Sequence, residues 1–264
     1  MSSVTTKALV IRAADYSDND KILTLLTPDE GKLTVTVKGA KSLKSANHSA
    51  AQLMCYGEYT MTVKNGRMWL KESNPIESFF SVHASIERHT LSMYVLEFAD
   101  ALSQEGEPAA ELLSLTLNTL FELNRGVKPI KQIKAAFELR AISDAGFMPY
   151  TEGCSECGEK GDTGYILNVS EGTALCEKCA EITELNRGIE GYNPILWPVN
   201  RSVLNAMRYV SECPPKRVFA FTLPDEELSD FAAVCEQYAL NHIERRFKTL
   251  DFYKKIADKF DLEL

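Results

Sequence analysis

The sequence of residues 21–38 is KILTLLTPDEGKLTVTVK, which contains two apolar runs separated by a turn sequence. In the second run Leu33, Val35 and Val37 alternate with polar residues, the period expected of a β-strand with one buried face. Pro, Asp, Glu and Gly at positions 28–31 are residue types that favour a tight turn. The stretch therefore predicts two short neighbouring strands.

On either side of this stretch, further segments have the apolar and β-branched composition of strands, namely residues 7–12, 54–64 and 67–71. Asn65-Gly66 is a strong hairpin signal, because both residues tolerate a positive φ. Five short strands within about 70 residues leave no room for crossover helices, so they predict a small antiparallel barrel. Residues 39–52, between the third and fourth strands, are polar and are expected to form a mobile basic loop.

After Pro75 the apolar residues recur every three or four positions, as they do on one face of an α-helix. The expected helices are residues 84–104, about 108–126, about 129–146, 202–211 and 225–247. The predicted fold class is α+β and multidomain, with an N-terminal β-barrel followed by an all-helical domain. We place the barrel at residues 1–78 and the helical domain at residues 79–264.

Four of the seven cysteines form two Cys-x2-Cys pairs separated by 18 residues. That spacing, in a chain with an odd number of cysteines, favours metal binding over a disulfide framework. Two thiolate pairs complete the tetrahedral shell of Zn²⁺ and leave no position for a catalytic water, so one structural zinc ion is expected. The alternative is four reduced or redox-active thiols. The expected ligands are Cys154, Cys157, Cys176 and Cys179.

The residues between the two pairs are typical of a zinc ribbon. Gly158 follows Cys157 directly and permits a tight turn that directs backbone N–H groups at sulfur. Residues 165–175 have strand-like composition on both sides of Glu171-Gly172. The sequence therefore predicts a C4 zinc-ribbon-like module at about 150–182, inserted in the helical domain. The remaining cysteines, which have no partner motif and are expected to be inert, are Cys55, Cys213 and Cys235.

The composition is that of an ordinary globular protein, with 45% hydrophobic and 25% charged residues in a chain of 264. Global disorder and collagen-like order are therefore excluded. No run approaches the roughly 20 apolar residues of a membrane-spanning helix, and residues 1–12 lack the pattern of a secretory signal. These features predict a cytoplasmic protein without a membrane partner.

The net charge of −8 conceals an asymmetry along the chain. Residues 1–80 have a net charge of +2, whereas residues 81–264 have a net charge of −10. A polyanion would therefore meet the N-terminal part, because phosphate contacts come from local Lys and Arg. The Lys and Arg residues of the predicted barrel are accompanied by four aromatic residues, Tyr16, Tyr56, Tyr59 and Trp69. A barrel face that combines the two residue types would suit a groove that binds nucleic acid. Composition alone favours the alternative of a solvated barrel exterior, since eight acidic residues are interleaved.

The sequence contains no motif that is typical of an enzyme. A phosphate-binding Gly-rich loop, a dinucleotide fingerprint, a zinc-protease helix and a nucleophile elbow are all missing. The chain is therefore expected not to be an enzyme.

The order of these parts resembles the RecO family of bacterial recombination mediators over almost the whole chain. The segments that carry the resemblance are residues 16–18 (YSD), 27–31 (TPDEG), 37–41 (VKGAK), 137–140 (FELR), 146–147 (GF), the two cysteine pairs, and 240–245 (LNHIER) followed by Lys248. The resemblance implies an OB-fold in the N-terminal domain and a zinc module that only some members retain. It also implies a protein that uses no nucleotide and has no catalytic residues.

RecO-like proteins bind single- and double-stranded DNA, anneal complementary strands, and work with RecR and with the acidic C-terminal tail of single-strand-binding protein. They help load RecA at gaps and breaks, so the resemblance implies a nucleoid-associated protein. The expected DNA contacts are Arg12, Lys32, Lys38, Lys41, Lys44, Lys64 and Arg67. The expected contacts to the acidic protein tail are Arg140, Arg245, Arg246 and Lys248.

Two other hypotheses remain open at this point. The first is a zinc-containing protein–protein adaptor with weak or indirect DNA binding, which the net charge of −8 favours. The second is an enzyme with a catalytic zinc, which the expected coordination by four thiolates disfavours.

Overall fold

The structure, a computed structural model, describes residues 3–161 and 164–261. Residues 1–2 and 262–264, at the ends of the expected domains, and residues 162–163, within the expected cysteine module, lie outside it. The chain divides into two compact units, Met1–Val127 with Phe247–Leu264, and Lys128–Arg246. The domain limits expected from the sequence stay a prediction.

The first unit contains a closed five-stranded barrel with the order β1-β2-β3-β5-β4, which confirms the predicted N-terminal barrel. One pairing differs from the antiparallel expectation. Strands β3 and β5 run parallel, with Val35 opposite Met68 and Thr36 opposite Trp69. The strands are β1 (Ser3–Asp15), β2 (Lys21–Leu26), β3 (Lys32–Val37), β4 (Tyr56–Lys64) and β5 (Arg67–Glu77).

The alternating apolar residues of β2 and β3 fill the barrel interior, where Leu23, Leu25 and Val35 are fully buried. The segment between β3 and β4, expected to be a mobile loop, is a compact series of turns instead. Its residues Ala40 and Ala50 are fully buried, as is Ala51, and the His48 Nδ1 atom lies 2.9 Å from the Ala40 carbonyl oxygen. Small apolar side chains therefore hold this segment against the barrel. The prediction of a mobile loop was wrong because it rested on the polar residues of the segment and not on its alanines.

The described part of the first unit also contains a 3-10 helix (Phe80–Ala84) and three α-helices: α1 (Ile86–Leu102), α2 (Ala110–Arg125) and α7 (Lys248–Asp261). The Ser85 side chain caps α1 by accepting a hydrogen bond from the Arg88 backbone N–H. Helix α7 packs on α1. Phe247, directly before α7, stacks at 5.2 Å on Phe98 and meets Tyr94 edge-on at 5.5 Å.

The second unit is helical and also contains a three-stranded antiparallel sheet with the order β7-β6-β8. Its interior is formed by α3 and α6, with Phe137 and Phe231 fully buried. The elements are α3 (Ile130–Asp144), β6 (Tyr165–Asn168), β7 (Thr173–Leu175), α4 (Glu177–Leu185), β8 (Leu196–Val199), α5 (Arg201–Glu212) and α6 (Asp225–Ile243).

The end of the chain differs from the expectation of one helix over residues 225–247. Glu244 has a φ of +49°, in the left-handed region, and this residue ends α6. The chain then begins α7 at Lys248. Sequence periodicity misses the break, because the residues around it are ordinary helix formers.

The cysteines outside the two pairs are Cys55, Cys213 and Cys235, all buried and free. Burial raises the pKa of each of these thiols, most strongly that of Cys235, so they stay protonated at neutral pH. Within residues 3–161 and 164–261, no helix has both the length and the apolar character required to cross a bilayer.

Candidate nucleic-acid interface and metal centre

A groove of about 590 Å³ lies on the barrel along strands β4 and β5 and includes Lys38, the residue after β3. Trp69 occupies its wall, because it pairs with Thr36 on one side and with Thr62 on the other. The β4–β5 hairpin forms the rim, with Asn65 at a φ of +52° and Gly66 at +71°, as the hairpin signal predicts. The lining residues are Lys38, Thr62, Lys64, Asn65, Arg67, Trp69 and Leu70.

This groove brings together three of the seven expected DNA contacts, Lys38, Lys64 and Arg67. All three side chains are exposed, and none forms an ion pair with a carboxylate of the described chain. The Lys38 Nζ atom lies 4.9 Å from the centre of the half-buried Trp69 ring. The groove therefore combines unneutralised cations with an aromatic face, the two components of a surface that binds single-stranded nucleic acid.

Arg12 and Lys32 are placed differently, beside the carboxylate of Asp100 on α1. The Lys32 Nζ atom donates to the Asp100 backbone oxygen at 2.8 Å and lies 3.2 Å from Oδ1. The Arg12 Nη1 atom lies 3.7 Å from Oδ2 of the same carboxylate. Asp100 partly neutralises both cations, so each has less charge to offer a phosphate than the groove cations have.

The last two expected DNA contacts lie in the turn segment after β3. The Lys41 Nζ atom is 3.0 Å from Asp15 Oδ2 and donates to the Ser17 carbonyl oxygen at 2.8 Å. Lys44 is exposed, and its ammonium group has no ion-pair partner among the described residues. Neither residue lines the groove around Trp69.

The aromatic residues expected near the cations separate into exposed and buried ones. Tyr59 is fully buried, and its hydroxyl donates to the Ala50 carbonyl oxygen at 2.9 Å, so it cannot stack on a base. Tyr16 is 54% exposed and lines a second hollow of about 400 Å³. Arg67 lines both hollows and so connects the face around Trp69 with the face around Tyr16. The sequence signal that could have located this groove is the Asn65-Gly66 turn, because the turn places Lys64 and Arg67 side by side at the rim.

The second unit brings the four expected metal ligands together. The sulfur atoms of Cys154, Cys157, Cys176 and Cys179 all lie within 4.8 Å of one another. Cys157 Sγ and Cys176 Sγ are 3.8 Å apart. Zn–S bonds of about 2.3 Å in a tetrahedron place sulfur atoms about 3.8 Å apart, so the donor set fits a tetrahedral ion.

The backbone around the cysteines supports thiolate ligands. Gly158 has a φ of +75°, and its N–H donates to the Cys154 carbonyl oxygen at 2.9 Å, which closes the expected turn. Burial raises the pKa of Cys154, but hydrogen bonds from the backbone N–H groups of Cys176, Cys157 and Glu156 outweigh it and lower the pKa to about 6. The pKa of Cys179 is raised, chiefly by its hydrogen bond with Cys176. Four adjacent sulfur atoms cannot all ionise without a cation, and a bound metal would remove that restriction. The cluster could therefore hold a metal ion.

The four expected contacts to an acidic tail have different surroundings. Arg140 on α3 is bonded to other residues of its own unit. Its Nε atom lies 2.7 Å from Asp144 Oδ1, and its Nη1 atom donates to the Cys213 carbonyl oxygen at 2.6 Å. Arg245 and Arg246 are exposed in the short segment after α6. Lys248 is exposed at the start of α7, in the first unit.

Comparison with known proteins agrees with this architecture. The family model described as Recombination protein O N terminal matches residues 1–79, and the model described as Recombination protein O C terminal matches residues 83–251. Two relatives named DNA repair protein RecO match nearly end to end. That of Acetivibrio thermocellus is 25% identical over 256 residues, which cover 97% of this chain and 98% of the relative. That of Clostridium perfringens is 25% identical over 258 residues, which cover 98% and 100%.

A third relative with the same name, from Listeria monocytogenes serotype 4b, is 31% identical over 176 residues, which cover 66% of this chain and 68% of the relative. The two family models each match one part of the sequence, in the order in which the barrel and the cysteine-bearing helical unit occur. The chain belongs to the RecO family of DNA repair proteins.

Proposed function

We propose that this chain is a mediator of DNA repair and homologous recombination that has no catalytic step of its own. It binds single- and double-stranded DNA and anneals complementary strands. Together with RecR it helps load RecA onto DNA covered by single-strand-binding protein. It acts in the cytoplasm, at the nucleoid. The observation that carries the proposal is the groove around Trp69, with its three unneutralised cations.

The groove suits a flexible strand. Phosphates contact Lys38, Lys64 and Arg67, and a base stacks on the exposed part of the Trp69 ring. Each neutralised phosphate of a single strand contributes about −0.7 to the slope of log affinity against log salt. Three contacts therefore account for a slope of about −2, which is measurable although the whole chain is acidic.

The test is fluorescence anisotropy with a labelled single-stranded oligonucleotide at several salt concentrations. The variant Lys38→Glu/Lys64→Glu/Arg67→Glu should bind more weakly than the wild type and show a shallower salt slope. A control with the same change in net charge is Lys216→Glu/Arg217→Glu/Lys255→Glu, at three exposed positions that do not line the groove. The proposal fails if both variants lose affinity equally, or if the wild type does not bind at low salt.

The mediator activities are tested separately, with the same two variants. Annealing is followed by the quenching of two complementary labelled strands coated with single-strand-binding protein. RecA loading is followed by ATP hydrolysis on the same coated DNA in the presence of RecR. We expect the groove variant to lose both activities and the control to keep them.

We further propose that the four-cysteine cluster binds one Zn²⁺ with a structural role. Four thiolates, a short sulfur–sulfur distance and backbone N–H donors are the features that support zinc over a hard cation.

The acidic tail of single-strand-binding protein would meet Arg245, Arg246 and Lys248. Arg140 is already bonded inside its unit, so we expect its loss to act on stability.

A second candidate function is the protein–protein adaptor with weak or indirect DNA binding. The observation that favours it is that Arg12, Lys32 and Lys41 all face carboxylates. An adaptor would keep its affinity for RecR in the groove variant and would show no salt-dependent binding of DNA. The anisotropy experiment therefore separates the two functions.

A further inference from the structure

A groove of about 370 Å³ adjoins the cysteine cluster on the surface of the second unit. Its floor contains the buried side chain of Leu175 and the metal-ligand candidate Cys179. Ile182, one turn further along α4, and Ile189 line its walls. These two isoleucines are 59% and 57% exposed, respectively. The groove therefore presents two large aliphatic side chains to solvent above a buried apolar floor.

The same groove is acidic. Glu156 and Glu171 line it together with Tyr192. Burial raises the pKa of Tyr192, and so do a hydrogen bond to Glu171 and the charges of Glu171 and Glu156. The Tyr192 oxygen also accepts a hydrogen bond from Asn168 Nδ2 at 3.1 Å, which fixes the ring in the wall.

No lysine or arginine is among the described residues that line this groove. The arginine nearest in sequence, Arg187, is held by Glu184, with its Nε atom 2.6 Å from Oε1, and donates to the Pro194 carbonyl oxygen at 2.9 Å. Four thiolates around a dication would add a net charge of −2 beside the groove. The groove therefore repels phosphates and attracts cations.

We propose that this groove docks a short segment of a partner protein in which an aliphatic side chain is flanked by lysines or arginines. The aliphatic side chain occupies the space between Ile182 and Ile189, above Leu175, and a flanking cation pairs with Glu156 or Glu171. Charge complementarity selects a basic peptide and excludes DNA. The inference is independent of the DNA groove and does not require the proposed mediator activities.

The experiment uses the metal-loaded full-length protein with ¹³C-labelled isoleucine methyl groups. The probe is a fluorescein-labelled octapeptide that has two central leucines between two lysines on each side, with a glycine at each end. We expect the methyl resonances of Ile182 and Ile189 to shift on addition of the probe. Anisotropy of the same peptide should show at least about tenfold weaker binding to Glu156→Gln/Glu171→Gln, which removes the charge pairs, and to Ile182→Ser, which removes buried apolar area without adding a charge.

Two controls separate docking from general attraction to an acidic protein. Glu111→Gln/Glu226→Gln changes the net charge equally at exposed sites outside the groove and should bind like the wild type. A peptide with alanines in place of the leucines keeps the charge and should bind weakly. The proposal is wrong if the wild type does not bind the leucine peptide, if the alanine peptide binds equally well, or if the shifts occur at other isoleucines. Self-association without peptide would overturn it as well, because the occupant would then be a second copy of the chain.

Discussion

The Nζ atom of Lys38, just after β3, lies 4.9 Å from the centre of the Trp69 ring on β5, across the parallel seam of the barrel. A cation and an aromatic face are therefore held together by the backbone pairing of two strands. This relationship lets the contribution of stacking be separated from that of charge.

Trp69→Ala should weaken binding of single-stranded DNA about tenfold, because stacking of one base on an aromatic ring contributes about 1–3 kcal/mol. The slope of log affinity against log salt should stay that of the wild type, since no cation is removed. Trp69→Phe retains an aromatic face and should bind nearly as the wild type does. Anisotropy across salt concentrations measures both quantities, and a shallower slope in Trp69→Ala would contradict the stacking role.

Gly31→Ala should destabilise the first unit by more than about 3 kcal/mol. Gly31 has a φ of +60°, and a Cβ at this position would overlap the carbonyl oxygens of Gln104 and Glu107. Gly39 is the matched control, with a φ of +64° and no atom within 4 Å of the place that an alanine methyl group would take, so Gly39→Ala should cost only about 1 kcal/mol. Urea denaturation of both variants measures the difference. Equal costs would show that the close approach at Gly31 is unimportant.

Cys176→Ser should reduce the bound zinc below one ion per chain and lower the melting temperature by more than about 10 °C. A bound metal would replace four competing thiols by one closed shell, and Cys176 lies directly before α4. Metal content by mass spectrometry and thermal unfolding with and without chelator are the measurements. Cys213→Ser changes a buried cysteine outside the cluster and should keep the full metal content. Full metal content in Cys176→Ser would remove this residue from the ligand set.

The wild type should lose stability more steeply than His242→Leu as the pH falls from 7 to 5. Burial lowers the pKa of His242 from 6.5, and its Nε2 atom is buried without a hydrogen-bond partner among the described residues. The ring instead stacks at 5.0 Å on Phe147 and lies 4.3 Å from Tyr238. The unfolded chain therefore binds a proton that the folded chain resists, so stability rises with pH across this range. Urea unfolding at several pH values would show parallel curves if His242 were not responsible.

The features that follow from local sequence were predictable. Alternation at Leu33, Val35 and Val37 indicated strand β3, and the Asn65-Gly66 turn indicated the hairpin that forms the rim of the groove. The cysteine spacing predicted which four side chains meet, because a Cys-x2-Cys turn fixes two sulfur atoms by its own backbone.

The features that depend on distant partners were not predictable. Asp100 lies 68 positions from Lys32, and nothing near either residue indicates that they pair. The parallel pairing of β3 with β5 depends on how the turn segment crosses the barrel. Helix α4 begins directly after Cys176, so the cysteine cluster fixes the position of its first turn. The exposed position of Ile182 depends on that placement, which local sequence does not indicate.

The parallel seam also determines when the groove can exist during synthesis of the chain. Residues 35–36 pair with residues 68–69, so the barrel stays open until the fifth strand has left the ribosome. Trp69 is itself part of that last strand. A nascent chain therefore acquires its aromatic face and its closed barrel in the same step, and a fragment ending before residue 68 has neither.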